Sequence, residues 1–381
     1  MNEAVAQAQL AKVKLPYTQT FLDVLSRIPS WILRRLPEDF SHTLALSTLK
    51  YGGAKILEGY SCPLLPSFDV SCQLSEKISL KHPVGMAAGF DKNGEIIPAL
   101  RSLGFSFAEV GTTTPRPQAG NPGKKLFRIP GQRGLVNRCG FNNCGAAQTL
   151  KNICDDRTKP SSEIPIGVNL GKNKDTPLEK ALEDYLFLAD TFQGIADYLV
   201  VNISSPNTPG LRKLASTDFI RLLAQELGSI LPDQLGRVWI KLDPDLPKPL
   251  FQKLIATMSQ HQFAGVILAN TQQTTTPVKG GMSGHPLAIC SSSRLEWAYE
   301  VHRGDLTMIG VGGILSGRDI YEKIIRGAAA VQIYTALVYR GPLVVANLLN
   351  ELYSIMAQLG VTHLSDLRYS YYHHTKQGNL L

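Results

Sequence analysis

The stretch VNISSPNTPG, residues 201–210, sets a serine hydroxyl among carboxamides and prolines where a strand should be ending. The run DYLVV at 197–201 reads as a buried parallel strand, and Pro206 and Pro209 forbid strand or helix from continuing. Asn202, Ser205, Asn207 and Thr208 are thereby fixed at a strand's C-terminal edge. Two carboxamides offer donors and acceptors suited to a planar, amide-rich ligand, and a hydroxyl held in a loop can exchange a proton with it. A Pro/Asn/Ser turn without chemistry is the alternative that composition leaves open.

Such a loop needs a scaffold. From residue 84 onward strand, loop and amphipathic segment alternate, with strands expected at 84–90, 107–113, 165–171, 197–204, 237–243, 265–270, 307–313 and 329–335. Segments such as GEIIPALRSLG, TPLEKALEDYLFLADTF, STDFIRLLAQELGSIL and RDIYEKIIRG lie between them. Eight units predict an α/β fold of the TIM (β/α)8 barrel type. A doubly wound sheet would need a Gly-rich turn after its first strand; AAGFDKNG is no GxGxxG, and GVGGIL lacks the last glycine. The intervals 115–144 and 271–286 exceed simple connections, and long excursions above a barrel usually build its site.

Barrel chemistry gathers where the strands end. The first strand delivers Ala88 and Gly89, which let a flat ring approach, and then Lys92, which can meet an anion; the second delivers Thr112. Asn169 and Lys172 come from the third, Asn202 and Ser205 from the fourth, Lys241 from the fifth, and Asn270 with Thr271 from the sixth. The last two give GVGG at 310–313 and then Tyr334 and Thr335, the place where such barrels hold phosphate, so a phosphorylated cofactor is implied. Singly, each has a plainer reading: Lys241 as an ion pair with Asp243 or Asp245, Asn169 as a turn cap, and GVGG as a close strand-to-helix contact. Together they would leave lysines and asparagines pointing into one apolar mouth.

At 381 residues the chain accommodates two domains or one barrel with an extension. With 44% hydrophobic and 18% charged residues it is globular. Its six cysteines show no CxxC pairing or zinc-ligand spacing, so reduced packing thiols in a cytosol-facing protein are expected, and no metal. A net charge of +8 without any basic block describes a solvated surface, not a nucleic-acid binder. No apolar stretch reaches the ~20 residues that span a bilayer, and residues 1–14 lack the hydrophobic run of a secretory signal. Helical spacing of Tyr17, Phe21, Leu22, Leu25 and Ile28, then Trp31 to Leu36 beside Arg34 and Arg35, and a second helix over 38–52 fit an interfacial anchor; a helical hairpin packed on the barrel fits as well. The division expected is an extension at 1–55 and a barrel at 56–381, with a hairpin from DVSCQLS and KISLKHP capping one end.

Several strings carry a resemblance: AAGFDKNGE, EVGTTTPRPQAGNPGKKLFR, NRCGFNNCG, GVNLGKNKDTP, VNISSPNTPGLR, GGMSGHPLA, GVGGI and QIYTAL. The chain resembles the dihydroorotate dehydrogenases over nearly everything after about residue 40, specifically the membrane-associated, quinone-using class, whose base is a serine where cytosolic classes carry a cysteine. That implies oxidation of dihydroorotate to orotate in pyrimidine (UMP) biosynthesis, with FMN as cofactor, a membrane quinone as acceptor, and a peripheral place on the cytoplasmic face of a membrane. The resemblance implies FMN contacts from Ala88, Gly89, Thr112, Asn169, Asn202, Lys241, Gly284, Gly313, Tyr334 and Thr335. It assigns the substrate to Lys92, Asn137, Arg138, Cys139, Gly140, Phe141, Asn202, Asn207, Asn270 and Thr271. Ser205 would be the base, with Thr208 and Phe141 completing a proton relay, and His42, Arg128 and Tyr334 would meet the quinone; on its own, His42 reads as a helix-surface histidine. One departure stands out, since the family's Thr-Asn-Thr is here Ala269-Asn270-Thr271, which removes a hydroxyl from the flavin. A dihydrouridine synthase is also an FMN barrel but would need an RNA-binding domain and a cysteine acid, neither evident; a non-catalytic membrane scaffold would not account for the polar mouth.

Overall fold

A computed structural model describes residues 28, 31–58, 64–158, 164–231 and 235–372. The helix expected around Tyr17, Phe21, Leu22 and Leu25 lies outside them, as does Cys62. Strands β1 (Cys72–Ser75) and β2 (Ile78–Leu80) pair antiparallel as the expected hairpin. The chain continues through β3 (Val84–Met86) and β4 (Ala108–Thr113), the pair β5 (Leu126–Ile129) and β6 (Gly134–Asn137), then β7 (Ile166–Leu170), β8 (Tyr198–Asn202), β9 (Val238–Lys241) and β10 (Gly265–Leu268). The pair β11 (Gln272–Thr274) and β12 (Gly280–Gly284) precedes β13 (Thr307–Val311) and β14 (Ala328–Ile333). Eight parallel strands close in the order β10-β13-β14-β3-β4-β7-β8-β9, the barrel that the alternation predicts. Each expected strand exists, but most stop short of the expected C-terminal bound. At β13 the chain leaves the ladder at two successive positive-φ glycines, Gly312 (φ +97°) and Gly313 (φ +77°).

Helices ring the barrel: α1 (Glu38–Lys50), α2 (Ile97–Ser102), α3 (Gly145–Arg157), α4 (Ala181–Phe192), α5 (Thr217–Ile230), α6 (Lys248–Gln260), α7 (Ala288–His302), α8 (Gly317–Ile325), α9 (Thr335–Arg340) and α10 (Val344–Leu359). In α5 the apolar residues Ile220, Leu223, Ala224 and Leu227 recur at helical spacing and are buried, while the Ser216 hydroxyl accepts from the Phe219 N–H to start the helix. Below the strands, Leu74, Ile78 and Leu80 of the hairpin pack with Phe107, Tyr198 and Trp239 and fill the closed end. The site therefore has only the opposite end to occupy.

The two long intervals meet there. They form one antiparallel sheet in the order β11-β12-β6-β5 above the barrel mouth. Strand β5 is its edge, and α1 lies along it. Asp39 carboxylate oxygens accept from the backbone N–H groups of Lys125 (2.9 Å) and Leu126 (3.0 Å), and Glu38 accepts from that of Arg128 (3.2 Å). Residues 31–33 are helical, and the Arg128 guanidinium clamps the end of that turn by donating to the carbonyls of Leu33, Arg34 and Leu36. The extension is thus tied to the sheet above the barrel by side chain-to-backbone hydrogen bonds, yet Ile28, Trp31, Ile32, Phe40 and Leu44 stay exposed. No helix among the described residues is long and apolar enough to cross a membrane.

Two buried histidines predict an acid sensitivity. In His82 and in His302, Nδ1 accepts backbone N–H groups, and burial pushes both imidazoles down to about 4. Below their ordinary value of 6.5 the unfolded chain binds protons that the folded one refuses, so stability is full above pH 6.5 and falls toward pH 4. Thermal unfolding across that window should show this slope, and His82→Gln with His302→Gln should flatten it by on the order of one proton per histidine.

Candidate active site

Strand ends converge on a cavity of about 1120 Å³, counting the space open to solvent. Among its lining residues are Ala88, Gly89, Lys92, Thr112, Asn202, Ser205, Lys241, Asn270 and Thr271 from the strand ends, Asn137, Cys139, Gly140, Phe141 and Asn207 from the loops above, and Gly284, Gly313, Tyr334 and Thr335 at the far side. Residues scattered over some 250 positions of sequence are thus brought to one place. Asn169, Thr208 and Arg138 are not in that wall. Asn169 stands under it, Thr208 is buried behind Ser205, and the Arg138 backbone N–H is spent on the Lys125 carbonyl.

The floor is one connected set of hydrogen bonds. Thr112 Oγ1 donates to Asn169 Oδ1 (2.5 Å), and Asn202 Nδ2 donates to the same oxygen (3.0 Å). The Asn202 Oδ1 accepts from the Ser204 hydroxyl (2.9 Å), which in turn accepts from Asn270 Nδ2 (2.8 Å). Asn169 is therefore no turn cap but a wholly buried member of β7. Its Nδ2 donates to Glu109 Oε1 (2.6 Å), which Lys241 Nζ also reaches at 3.1 Å. The ion pair expected between Lys241 and Asp243 or Asp245 does not form, because Arg212 takes both carboxylates at 2.6 and 3.2 Å. Lys172 faces away: its Nζ donates to the carbonyls of Asn173 and Thr176.

The roof is carboxamide-rich. Asn207 Nδ2 donates to Asn137 Oδ1 (2.8 Å) and to the Asn137 carbonyl (3.1 Å), which ties the loop after β8 to the end of β6. Ser205 Oγ accepts from the Asn207 N–H (3.2 Å), leaving its own hydrogen free to turn toward the cavity. Thr208 Oγ1 is buried with no partner among the described residues. Phe141 holds a left-handed backbone (φ +55°), fixed by Asn143 and Gln118 donating to its carbonyl. At the far side a Cβ on Gly313 would lie 2.2 Å from the Ala288 backbone, so the close strand-to-helix contact exists and also shapes the wall. The Ser283 and Thr335 hydroxyls stand 3.0 Å apart beside it.

A second cavity, strongly apolar, opens between α1 and the barrel, and Tyr334, Leu126 and Leu135 line both. His42, Arg128 and Tyr334 all lie in its wall. His42 is not a surface histidine. Its ring stacks 6.4 Å from Tyr334 and meets Phe90 edge-on at 5.6 Å, and burial, with the Lys92 charge as a lesser cause, pushes it down to about 3. It is neutral at any physiological pH, with a buried Nε2 lacking a partner among the described residues. Burial likewise raises the Tyr334 phenol far above its ordinary range.

Sequence reasoning passed over Glu109, Gln332 and Ser204. The available signal was a carboxylate inside AEVGTT, a strand buried on both faces where a charge must have partners. The family profile described as dihydroorotate dehydrogenase matches residues 72–356. The dihydroorotate dehydrogenase (quinone) of Myxococcus xanthus is 40% identical over 296 residues, covering 75% of this chain and 80% of that protein. The protein of the same name from Gloeobacter violaceus is 38% identical over 346 residues, covering 87% and 95%. Among solved structures, the ferulenol complex of DHODH from Eimeria tenella superposes with a TM-score of 0.78 at 30% identity, over 88% of this chain and 95% of that one.

Proposed function

Because this chain belongs to the dihydroorotate dehydrogenase family, we propose that it oxidises (S)-dihydroorotate to orotate with FMN and passes the electrons to a membrane quinone, in pyrimidine biosynthesis. The observation that carries the reading is one cavity with Ser205, two lysines and several asparagines in its wall, sharing Tyr334, Leu126 and Leu135 with an apolar cavity beneath an exposed hydrophobic helix. The residues fit the cofactor. Lys92, Lys241, Asn202, Asn207 and Asn270 set ammonium and carboxamide groups in one cavity wall, and Gly284, Gly313 and Thr335 stand at its far side, a donor set that suits an amide-rich ring carrying a phosphate. Held by Ala88, Gly89, Thr112, Asn202 and Lys241, with its phosphate toward Gly284, Gly313 and Thr335, FMN would supply the electron acceptor for the C6 hydrogen.

Everything else falls to side chains. Ser205 takes the C5 proton and, being a weak base, passes it on through a relay of Thr208 and a water against Phe141 to solvent. Lys92 meets the substrate carboxylate, while Asn137, Asn207, Asn270 and Thr271 bind its ring amides. Lys241 steadies negative charge at the pyrimidine edge of the cofactor. Residues 1–55 form the quinone-access extension and 56–381 the catalytic barrel. His42 and Arg128 line the quinone route, with Arg128 chiefly holding the extension in place. The exposed apolar residues of α1 and 31–33 would rest on the cytoplasmic face of a membrane.

The purified protein should be yellow, and dihydroorotate should bleach its flavin absorbance; colourless protein, or no bleaching, would end the reading. At Ala269, which lines the cavity, restoring the family hydroxyl with Ala269→Thr should tighten FMN by about one neutral hydrogen bond, roughly fivefold in Kd by titration of the apoprotein.

A further inference from the structure

We infer that Glu109 fixes both the charge and the hydrogen-bond direction of the floor on which the flavin ring would lie, acting as a positioning residue for Lys241, Asn169 and Gln332; this rests on the FMN reading above. Glu109 projects from β4 into the barrel and is fully buried. Three strands deliver donors to it: Asn169 Nδ2 at 2.6 Å and Lys241 Nζ at 3.1 Å to Oε1, and Gln332 Nε2 at 2.7 Å to Oε2.

An ionised carboxylate only accepts, so each amide must turn its nitrogen toward it. Asn169 then has only its oxygen to offer Thr112 and Asn202, and Asn202 must answer with its nitrogen. That leaves the Asn202 oxygen for Ser204 and Asn270. For Gln332 the same rule turns its nitrogen to Glu109 and its oxygen away from it, inside the barrel. One acid thus sets the direction of a network reaching from β14 to the loop after β10.

The second consequence is electrostatic. Lys241 lines the cavity, and at 3.1 Å its charge is paired with a carboxylate that no solvent screens. A ring above it meets an ion pair, not a bare ammonium. Removing the negative partner leaves an uncompensated cation, which stabilises electron-rich flavin and makes the oxidised form more electrophilic.

Glu109→Gln keeps the shape and removes the charge. Sulfite, which adds reversibly to electron-poor oxidised flavin, reports this without turnover. The variant should bind sulfite about tenfold more tightly than wild type, equivalent to about 30 mV for a two-electron couple, and the midpoint potential should rise. Glu109→Asp, which retains the charge, should stay within about threefold of wild type. Sulfite affinity in Glu109→Gln within twofold of wild type would overturn the inference while leaving the FMN reading intact. Should Glu109→Gln purify without FMN, Glu109→Asp, which keeps the charge, should purify with it; loss of FMN from both would also overturn the proposal. Wild-type protein without FMN would sink the underlying reading first.

Discussion

Ser205→Ala is expected to slow flavin reduction by dihydroorotate by about 10²- to 10⁴-fold while leaving FMN bound. The residue lines the cavity, is buried, and among the described residues its oxygen is engaged only as acceptor for the Asn207 N–H. Nothing in the floor network passes through it, so removal deletes one oxygen without disturbing Asn169, Asn202 or Lys241. Stopped-flow reduction under anaerobic conditions separates this step from reoxidation. A rate within a few-fold of wild type would remove Ser205 from the chemistry. Thr208→Val should cost less, because it interrupts onward transfer and not the first abstraction.

Deleting residues 1–52 should reduce turnover with a long-chain quinone at least a hundredfold and abolish flotation with anionic vesicles, while dihydroorotate still bleaches the flavin. The apolar cavity has α1 as one wall, through Ser41, His42, Leu44, Ala45, Thr48 and Leu49, so removing it leaves no enclosed route for a lipid. The first half-reaction depends on strand ends that α1 does not supply. A water-soluble one-electron dye should therefore still accept electrons from the truncated protein. Undiminished lipid-quinone turnover would show that the route lies elsewhere.

The barrel was readable because its strands are short apolar runs with amphipathic spacers, a pattern that admits few closed arrangements. The two excursions were readable as site builders but not as a single sheet, since the pairing of β6 with β12 joins residues about 145 positions apart and leaves no local mark. Ser205, Asn202 and Lys241 stood out at strand ends. Glu109 did not, because its partners Asn169, Lys241 and Gln332 come from three other strands and only closure brings them together. His42 was misjudged in isolation for the same reason: a helix-surface position becomes half-buried in a cavity wall beside Phe90 and Tyr334. At β13 the expected bound overran where two successive positive-φ glycines, Gly312 and Gly313, end the ladder.

Outward-facing N–H groups of Leu126 and Arg128 are taken by the carboxylates of Asp39 and Glu38. An unpaired margin of this kind would otherwise invite another polypeptide to add a strand. Two acids on one helical turn therefore do for this edge what a guard strand does elsewhere, leaving it no free donors at those positions for a second chain to pair with.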